Sequence, residues 1–405
     1  MFSADTAATV KATVPLLRAH GLDVTRRLYE ILFQEPAVKA FFNQSHQGPD
    51  GGQPKALAAA VLAYAENIDN PGVLLPAVER IAHRHVSMNV QPEHYAIVGR
   101  AILQAIKDVA GNAATPAVLA AWGEAYQWLA DVLSGRENAL YRETASKTGG
   151  WLGWRRFVVE RVEAESAEIA SVYLRPRDGG PVADYLPGQY VGLRAEVPGH
   201  GQAVRNYSLS RAPRGGAYRI SVKRHGLVSG WLHAQAPGAE VELLAPAGEF
   251  HLRPDQQRPV VLLSSGVGLT PLYAMLESIA EQRPGLKAWY VHGARDGRHH
   301  ALRAAVRAIE ERCPNVTAVT FYSRPHADDV PGRDYDVAGR IDPAWLARTL
   351  PLDACDIFVC GPSGFMADMV NGLTAHGIAP DRIRHEFFGP TADLAAPAAA
   401  AMAAE

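Results

Sequence analysis

The chain has 405 residues, 48% hydrophobic and 20% charged, which is typical of a globular protein of roughly two or three domains. Its 40 basic and 42 acidic residues disfavour a nucleic-acid partner, and no stretch approaches the roughly 20 apolar residues of a transmembrane segment. No secretory signal is visible, and three cysteines without disulfide or metal spacing fit a reducing compartment, so we expect a cytoplasmic protein.

Residues 1–145 carry a helical pattern. Apolar residues recur three and four positions apart, as in Trp122, Tyr126, Leu129 and Leu133. Prolines fall where short helices would begin or break, at Pro36, Pro54, Pro71, Pro76, Pro92 and Pro116. The pattern predicts an all-α domain. The small and polar residues 145–150 that follow it predict an unordered linker.

One histidine of this region falls on an apolar helix face. His85 continues the helical spacing of Val78 and Ala82, whereas His83 lies about 200° around the helix from it. Taken alone, an inward histidine is more often a core residue than a metal ligand. Glu137 falls on the apolar stripe of the last helix, where a carboxylate is costly to bury unless a partner needs it.

A metal-bound imidazole commonly donates its second N–H to a carboxylate, and Tyr95 would complete a network of His85 with Glu137. The alternative is that Glu137 is solvated at a fraying helix end. The sequence pattern alone leaves both interpretations open.

Short β-rich runs separated by glycine and proline fill residues 155–249 and predict an antiparallel barrel or sandwich. Four consecutive residues there have side chains suited to a flavin dinucleotide: Arg205, Asn206, Tyr207 and Ser208. A guanidinium clamps phosphate, an aromatic ring covers the flavin face, and a hydroxyl bonds a ring nitrogen. Taken alone, these four residues are more often an ordinary strand with one exposed arginine and one cross-strand tyrosine. Tyr190 would add an aromatic wall. The turn from Gly226 to Ser229 opens a helix whose N–H groups suit an anion.

From Pro259 strands and helices alternate, which predicts a doubly wound parallel α/β sheet. Two turns follow strands of this sheet, and glycine in such turns lets the backbone approach a phosphate. The first turn alone is equally consistent with a simple tight turn, and the second favours a phosphate site. The first turn consists of Gly266, Val267, Gly268, Leu269, Thr270 and Pro271, and the second begins with Cys360 and Gly361. The alanine-rich tail 393–405 is predicted to be poorly ordered.

In this order the segments resemble the ferredoxin–NADP reductase superfamily over residues 150–390. The resemblance implies that the barrel binds FAD and that the two later turns bind NAD(P)H, with Cys360 near the nicotinamide. Ser323 and Arg324 would meet a 2′-phosphate, or the arginine is simply solvated. Both NADH and NADPH therefore stay open.

The helical half resembles a globin, so the whole chain resembles the flavohaemoglobins, the nitric oxide dioxygenases of bacteria and fungi. The resemblance implies haem b with His85 as the iron ligand and Phe42 packed on the porphyrin. It places Tyr29 and Gln53 beside bound oxygen, and Tyr95 with Glu137 behind the ligating histidine.

The same resemblance matches Arg84 and Glu386 to a basic and an acidic position that influence electron transfer. The family commonly has lysine where Arg84 stands, which keeps the charge but changes its geometry. The family's terminal flavin-contacting segment corresponds to Phe387, Phe388, Gly389 and Pro390.

The sequence thus predicts a globin domain 1–145, an antiparallel β-barrel FAD domain 152–256 and an α/β nucleotide domain 257–392. The predicted function is conversion of nitric oxide and dioxygen to nitrate at a haem re-reduced by NAD(P)H through FAD, in a monomer. One alternative is a haem reductase of peroxides or alkyl hydroperoxides. Another is a carrier or sensor of oxygen or nitric oxide kept ferrous by its own reductase.

Overall fold

The computed structural model describes residues 3–35 and 52–388. Within them the chain divides into two compact units, the first ending at Glu143 and the second running from Thr144 to Phe388. The predicted site residues Phe42, Gly389 and Pro390 and the tail 393–405 lie outside the described residues. Among the residues that are described, no helix is both long and apolar enough to cross a membrane.

The described part of the first unit consists of helices. They are α1 Ala4–Ala12, α2 Val14–Leu32, α3 Gly52–Glu66, α4 Leu75–Val86, α5 Pro92–Ala110 and α6 Pro116–Ala145. Two short 3₁₀ helices, Pro71–Leu74 and Gly111–Ala113, precede α4 and follow α5. This region therefore has the all-α fold that the sequence predicts.

Proline and polar residues set several helix ends. Pro92 and Pro116 are the first residues of α5 and α6, where the helix has no use for a backbone N–H. Ser3 caps α1 by accepting the backbone N–H of Thr6 at 3.0 Å. Gly111 ends α5 with a φ of 53°, which glycine adopts at no steric cost.

The helices of the first unit share one apolar core. Leu28 and Leu32 on α2 are each 2% exposed, and Trp122 of α6 packs into the same cluster. The Tyr64 hydroxyl donates to the carbonyl of Ala125 at 2.8 Å, which satisfies a polar group inside the core.

The second unit begins with an antiparallel six-stranded sheet. Its strands are β1 Arg155–Ala164, β2 Ile169–Pro176, β3 Tyr190–Val197, β4 Gly201–Ser208, β5 Tyr218–Lys223 and β6 Glu240–Leu243. Their order is β4-β3-β6-β1-β2-β5, and a bridge between Leu209 and Ile220 joins the extension of β4 to β5. The outer strands therefore meet, and the sheet curls into a partly closed barrel rather than a sandwich. One short helix, α7 Leu227–His233, follows β5.

The remainder of the second unit is a parallel sheet with intervening helices. The strands are β7 Val260–Ser265, β8 Ala288–Ala294, β9 Val316–Tyr322, β10 Val337–Ala338, β11 Asp356–Cys360 and β12 Ile383–Glu386. The helices are α8 Leu269–Gln282, α9 Arg303–Arg312, α10 Pro343–Thr349 and α11 Ser363–Ala375, with 3₁₀ helices at Gly266–Gly268, Gly297–His299, Leu352–Ala354 and Pro380–Arg382.

Strand order in this sheet is β10-β9-β8-β7-β11-β12, and every neighbouring pair is parallel. From β7 the chain adds β8, β9 and β10 on one side, and it then returns to add β11 and β12 on the other side of β7. Ligands of such sheets bind beyond the carboxyl ends of the strands at this switch point, so the fold itself points to the turns after β7 and β11.

The structure corrects the prediction of an unordered linker. A Cβ on Gly149 would lie 2.7 Å from the carbonyl carbon of Val182, so the backbone here lies directly against a later segment of the same unit. Trp151 follows, donating its indole N–H to the carbonyl of Leu243 at 3.2 Å and packing 5.7 Å from the ring of Phe157. Glycine orders this segment because its lack of a side chain permits close backbone contact, which a count of apolar residues does not detect.

Candidate functional site

His85 lies near the end of α4 and makes two polar contacts through one ring nitrogen. Nδ1 lies 2.7 Å from Glu137 Oε1 on α6 and 2.9 Å from the Tyr95 hydroxyl on α5. Tyr95 donates its own O–H to the same Oε1 at 2.5 Å. Glu137 is only 2% exposed, so the alternative of a solvated carboxylate is wrong. Three helices thus bring together the residues expected behind the iron ligand.

Two further contacts tie these helices together beside the trio of His85, Tyr95 and Glu137. The Tyr126 hydroxyl donates to the carbonyl of Tyr95 at 2.7 Å, and Gly99 makes room for the Tyr126 ring, since a Cβ there would lie 2.6 Å from it. Arg136 forms a bidentate pair with Glu79 of α4 at 2.7 and 2.8 Å. Both contacts restrict movement of the residues that orient the imidazole.

The trio leaves the second imidazole nitrogen available for a metal. Because a carboxylate only accepts, Nδ1 of His85 is the donor in its contact with Glu137, and Nε2 is the nitrogen that could bind haem iron. Burial, followed by the hydrogen bond to Glu137, raises the pKa of Tyr95, so its hydroxyl stays a donor. Glu137 Oε2 is buried without a hydrogen-bond partner in the described part of the chain. A buried carboxylate of this kind is best satisfied by a positively polarised imidazole.

These donors fit haem better than a metal ion held by protein alone. Among residues 3–35 and 52–388, no three or more His, Cys, Asp or Glu side chains are grouped so as to bind a metal. A porphyrin supplies nitrogen ligands of its own, so its iron would need only one ligand from the protein. His85 is the residue that would supply it.

The residues predicted beside bound oxygen lie on α2 and α3. Tyr29 is 8% exposed, and burial raises its pKa to about 12, so its hydroxyl stays protonated. Thr25, one turn earlier on α2, donates its hydroxyl to the carbonyl of Pro54 at 3.0 Å. Gln53 directly precedes Pro54 and is half-buried. The contact brings the end of α3 that carries Gln53 alongside the part of α2 that carries Tyr29.

The residues predicted to bind flavin lie on the adjacent strands β3 and β4. Tyr190 pairs with Ser208 in the antiparallel register. Because side chains alternate along a strand, Asn206 lies on the face of Tyr190 and Ser208, whereas Arg205 and Tyr207 lie on the other face. The structure thus divides the motif between the two faces of the sheet, which the order of residues in the sequence does not show by itself.

Partial burial affects the two ionisable groups of this motif. Burial lowers the pKa of Arg205, whose Nη1 donates to the carbonyl of Val204 at 2.7 Å. Burial also raises the pKa of Tyr207. Tyr190 lies against the backbone at Gly248, where φ is 119° and a Cβ would come 2.7 Å from the ring. A partly buried guanidinium favours an anionic partner, so the site fits the phosphates and ring of a flavin dinucleotide.

The turn before α7 differs in detail from the prediction. Ser229 Oγ accepts the backbone N–H groups of His225 and Gly226, each at 2.9 Å, and donates to the carbonyl of Gly226 at 3.0 Å. The sequence suggests an open helix end for an anion, but Ser229 itself satisfies two of the N–H groups at this turn. Ser229 therefore shapes the turn, and a direct contact with an anion stays a prediction.

The two nucleotide turns of the parallel sheet touch each other. A Cβ on Gly268 would lie 2.6 Å from the backbone nitrogen of Gly361 and closer still to the carbonyl of Cys360. Gly266 adopts a φ of 54° at the end of β7. The other residues of the motif, in or directly before the first turn of α8, are Val267, Leu269, Thr270 and Pro271. The close contact places both turns at the switch point of the sheet, where a dinucleotide phosphate would bind.

The remaining predicted residues lie at the end of the sheet or on the surface. Cys360 is fully buried beside Glu386 of β12, and burial, with a smaller contribution from Glu386, raises the pKa of its thiol. Phe387 is half-buried and Phe388 is 47% exposed. Arg84 is exposed on α4.

Sequence reasoning missed the close backbone approaches of the second unit. Gly188, directly before the segment that carries Tyr190, has a φ of 112°, and a Cβ there would lie 2.6 Å from the Met275 side chain. Gly248 likewise allows its backbone to lie close to the ring of Tyr190. A glycine after a proline, as at Pro187, marks such a turn, but no local pattern identifies its distant partner.

Comparison with known proteins matches both halves of the chain. The family model Globin matches residues 25–133, and the model Oxidoreductase NAD-binding domain matches residues 262–371. A flavohemoprotein of Bordetella parapertussis is 48% identical over 398 residues, which cover 96% of this chain and 99% of that relative. A flavohemoprotein of Xylella fastidiosa is 45% identical over 393 residues, covering 96% of this chain and 97% of the relative. The chain belongs to the flavohemoprotein family.

Solved structures agree with this membership. A flavohemoglobin of Malassezia yamatoensis, solved with bound FAD and heme, has a TM-score of 0.85 at 26% identity and covers 96% of this chain and 99% of its own. The flavohem-like FAD/NAD binding domain of nitric oxide dioxygenase from Vibrio cholerae has a TM-score of 0.53 at 39% identity and covers 58% of this chain and 99% of its own.

Membership confirms the predicted fold class of a helical globin part, an antiparallel FAD-type barrel and a parallel nucleotide-binding sheet. It also confirms that this flavohemoprotein is an NAD(P)H-dependent oxidoreductase with haem and FAD as cofactors. The three domain boundaries and the roles of individual residues stay predictions.

Proposed function

We propose that this flavohemoprotein converts nitric oxide and dioxygen to nitrate, with NAD(P)H as the electron source. The observation that carries the proposal is the buried Glu137 carboxylate on Nδ1 of His85 in a chain that also has a reductase unit. Such a carboxylate increases the electron donation of the imidazole, which suits activation of oxygen more than its simple carriage. The relative from Vibrio cholerae, named nitric oxide dioxygenase, supports the same activity.

The reaction consumes one electron for each nitric oxide: NO + O₂ + e⁻ gives NO₃⁻. NAD(P)H yields two electrons, NAD(P)⁺ and a proton, so one NAD(P)H serves two turnovers. When bound, FAD takes the hydride and releases electrons singly, and haem iron supplies the place where the two gases combine.

The residues of the globin part have separate roles in this proposal. His85 would bind the iron through Nε2, while Glu137 accepts the Nδ1 proton and fixes the ring. Tyr95 donates to the same carboxylate and limits its rotation. Tyr29 and Gln53 would donate hydrogen bonds to the dioxygen substrate, which gains negative charge in the reaction. With a pKa of about 12, Tyr29 remains a donor throughout the physiological pH range.

The residues of the second unit bind and orient the reductants. Tyr190 and the segment Arg205–Ser208 would hold FAD, with phosphate charge balanced by Arg205. The turn Gly266–Gly268 and the residues Cys360 and Gly361 would take the pyrophosphate and nicotinamide of NAD(P)H. A cytoplasmic location and a monomeric state stay predictions.

Pulses of nitric oxide into an aerobic solution of the holoprotein and NADH test the reaction. We expect one nitrate for each nitric oxide and half an equivalent of NADH consumed, as the stoichiometry requires. Slow NADH oxidation whose rate does not change when nitric oxide is added would indicate a carrier or sensor. Rapid oxidation with alkyl hydroperoxide but not with nitric oxide would indicate a peroxide reductase. Either result would overturn the proposal.

The role of Tyr29 has its own test. Tyr29→Phe removes a hydrogen bond to a charged group, so we expect oxygen to dissociate roughly 10- to 100-fold faster from the reduced protein. Tyr64→Phe is the matched control, because Tyr64 is equally buried but donates to the carbonyl of Ala125. Equal oxygen dissociation rates in the two variants would remove Tyr29 from the site.

A further inference from the structure

One carboxylate joins the antiparallel sheet to the helix after the nucleotide turn. We call residues 209–217, which connect β4 to β5, the exit loop. Glu277 of α8 accepts the backbone N–H of Ala212 in this loop at 2.6 Å, and its side chain is only 12% exposed. Arg214 Nη2 lies 3.3 Å from the other carboxylate oxygen. The carboxylate is therefore both ion-paired and hydrogen-bonded to the exit loop.

A second contact fixes the start of the exit loop. Arg219 of β5 donates through Nε to the carbonyl of Ser210 at 3.0 Å. Its guanidinium lies 5.1 Å from the ring centre of Tyr273 on α8, a cation–π distance. Arg219 and Tyr273 are 8% and 3% exposed. Tyr273 and Glu277 are four residues apart, so they share one helix face, and the exit loop is attached to that face at two places.

These attachments connect the two segments assigned above to the cofactors. The exit loop begins directly after Ser208, the last residue of the segment Arg205–Ser208. Helix α8 begins directly after the turn Gly266–Gly268. Hydride transfer needs its reacting atoms roughly 3–3.5 Å apart, and a displacement of about 1 Å can slow it about a hundredfold. A bond between the exit loop and α8 therefore restrains the two segments that would hold the reacting cofactors.

We propose that Glu277 is a positioning residue for flavin reduction, because its carboxylate fixes the nucleotide segment relative to the flavin segment. NAD(P)H is oxidised by losing a hydride and the flavin is reduced by gaining it, while Glu277 exchanges neither proton nor electron. The inference rests on the cofactor assignments of the proposed function but not on the nitric oxide step.

Anaerobic stopped-flow reduction of the full-length holoprotein by NADH tests the inference. In Glu277→Ala we expect the rate constant at saturating NADH to fall roughly 10- to 100-fold, with the dissociation constant of NADH unchanged. Glu281→Ala is the matched control, because Glu281 lies one turn later on α8 and also pairs with Arg214. Glu281→Ala should keep the wild-type rate.

Amide hydrogen exchange of the same proteins gives a second result that needs no turnover. Residues 209–217 should lose protection in Glu277→Ala and keep it in Glu281→Ala, because only the first loses the bond to Ala212. Glu277→Gln retains an acceptor of the same shape, so it should recover most of the rate and of the protection.

Two results would overturn the inference. One is a wild-type reduction rate in Glu277→Ala despite lost protection, and the other is an equal loss of rate in Glu281→Ala. If Glu277→Ala does not retain FAD, Glu277→Asp replaces it, since a shorter carboxylate stretches the bond to Ala212 and should slow reduction. A wild-type rate in that variant would also overturn the inference. Failure of the wild type to form nitrate would overturn only the proposed function, because this experiment involves no nitric oxide.

Discussion

The two units of the molecule build their sites by different means. In the helical unit the site depends on side chains, and His85, Tyr95 and Glu137 meet from three helices at 2.5 to 2.9 Å. In the second unit it depends on backbone shape, because Gly248 and Gly268 lie where a Cβ would come within 2.7 Å of a neighbour. Substitution of Glu137 or Tyr95 should therefore weaken the chemistry of the first unit while its fold survives, whereas a methyl group at Gly268, which would meet backbone atoms, should disrupt the fold of the second.

The largest effect is expected from a methyl group at the contact of the two nucleotide turns. Gly268→Ala places a Cβ against the backbone of Cys360 and Gly361, which cannot rotate away as a side chain would. Overpacking of this severity should cost roughly 3 kcal/mol of unfolding free energy and abolish flavin reduction by NADH. Gly285→Ala is the control, since Gly285 is exposed with open space at its Cβ. Equal thermal stability of the two variants would contradict the inference that the second unit depends on the close backbone contact at Gly268.

Acid should also destabilise the second unit. His292 is 1% exposed, bonds Ser264 through Nδ1 at 2.8 Å and lies 5.0 Å from the buried ring of His300. Burial lowers the pKa of His292 to about 4. Below about pH 6.5 His292 therefore binds a proton in the unfolded chain but stays neutral in the folded chain until about pH 4. Stability should fall by roughly 3 kcal/mol between pH 6.5 and 4, with His300 acting in the same direction.

Urea unfolding of the full chain at several pH values, followed by flavin fluorescence, measures this loss. His292→Asn keeps a partner for Ser264 without a titrating ring, so its stability should depend less steeply on pH. A variant with the wild-type slope would show that His292 does not set the acid limit.

The smallest effect on folding, with a clear effect on chemistry, is expected at Glu137. Glu137→Gln removes the charge that Nδ1 of His85 contacts, and such changes typically lower metal affinity or activity 10- to 100-fold. Haem transfer to an excess of apomyoglobin measures the affinity, and thermal unfolding should stay near that of the wild type. Tyr95→Phe keeps the contact of His85 with Glu137 and should change haem affinity less. A larger effect of Tyr95→Phe would make the phenol, not the carboxylate, the principal partner of the imidazole.

The same contrast explains what the sequence could predict. The inward position of His85 follows from helical spacing, because a period of 3.6 residues assigns each residue to a face. The apolar stripe also places Glu137 inside, but its partner lies 52 residues away, so the sequence pattern leaves the pairing open beside a solvated carboxylate, and the family resemblance favours the pairing. The contacts of Gly248 with Tyr190 and of Glu277 with Ala212 join segments that are distant in the sequence. No local sequence pattern predicts such contacts.

The cysteines of the second unit have a consequence for the durability of the protein. All three are buried, and burial raises the pKa of Cys355 to about 11 and that of Cys360 further above its usual value. Nitrosating and oxidising agents react chiefly with a cysteine sulfur that is both deprotonated and accessible to solvent. Under the proposed function the protein would meet nitrogen oxides, and its three buried cysteines present them with no sulfhydryl on the surface. The neutral thiol of Cys360 beside the nucleotide turn would then be sheltered from inactivation.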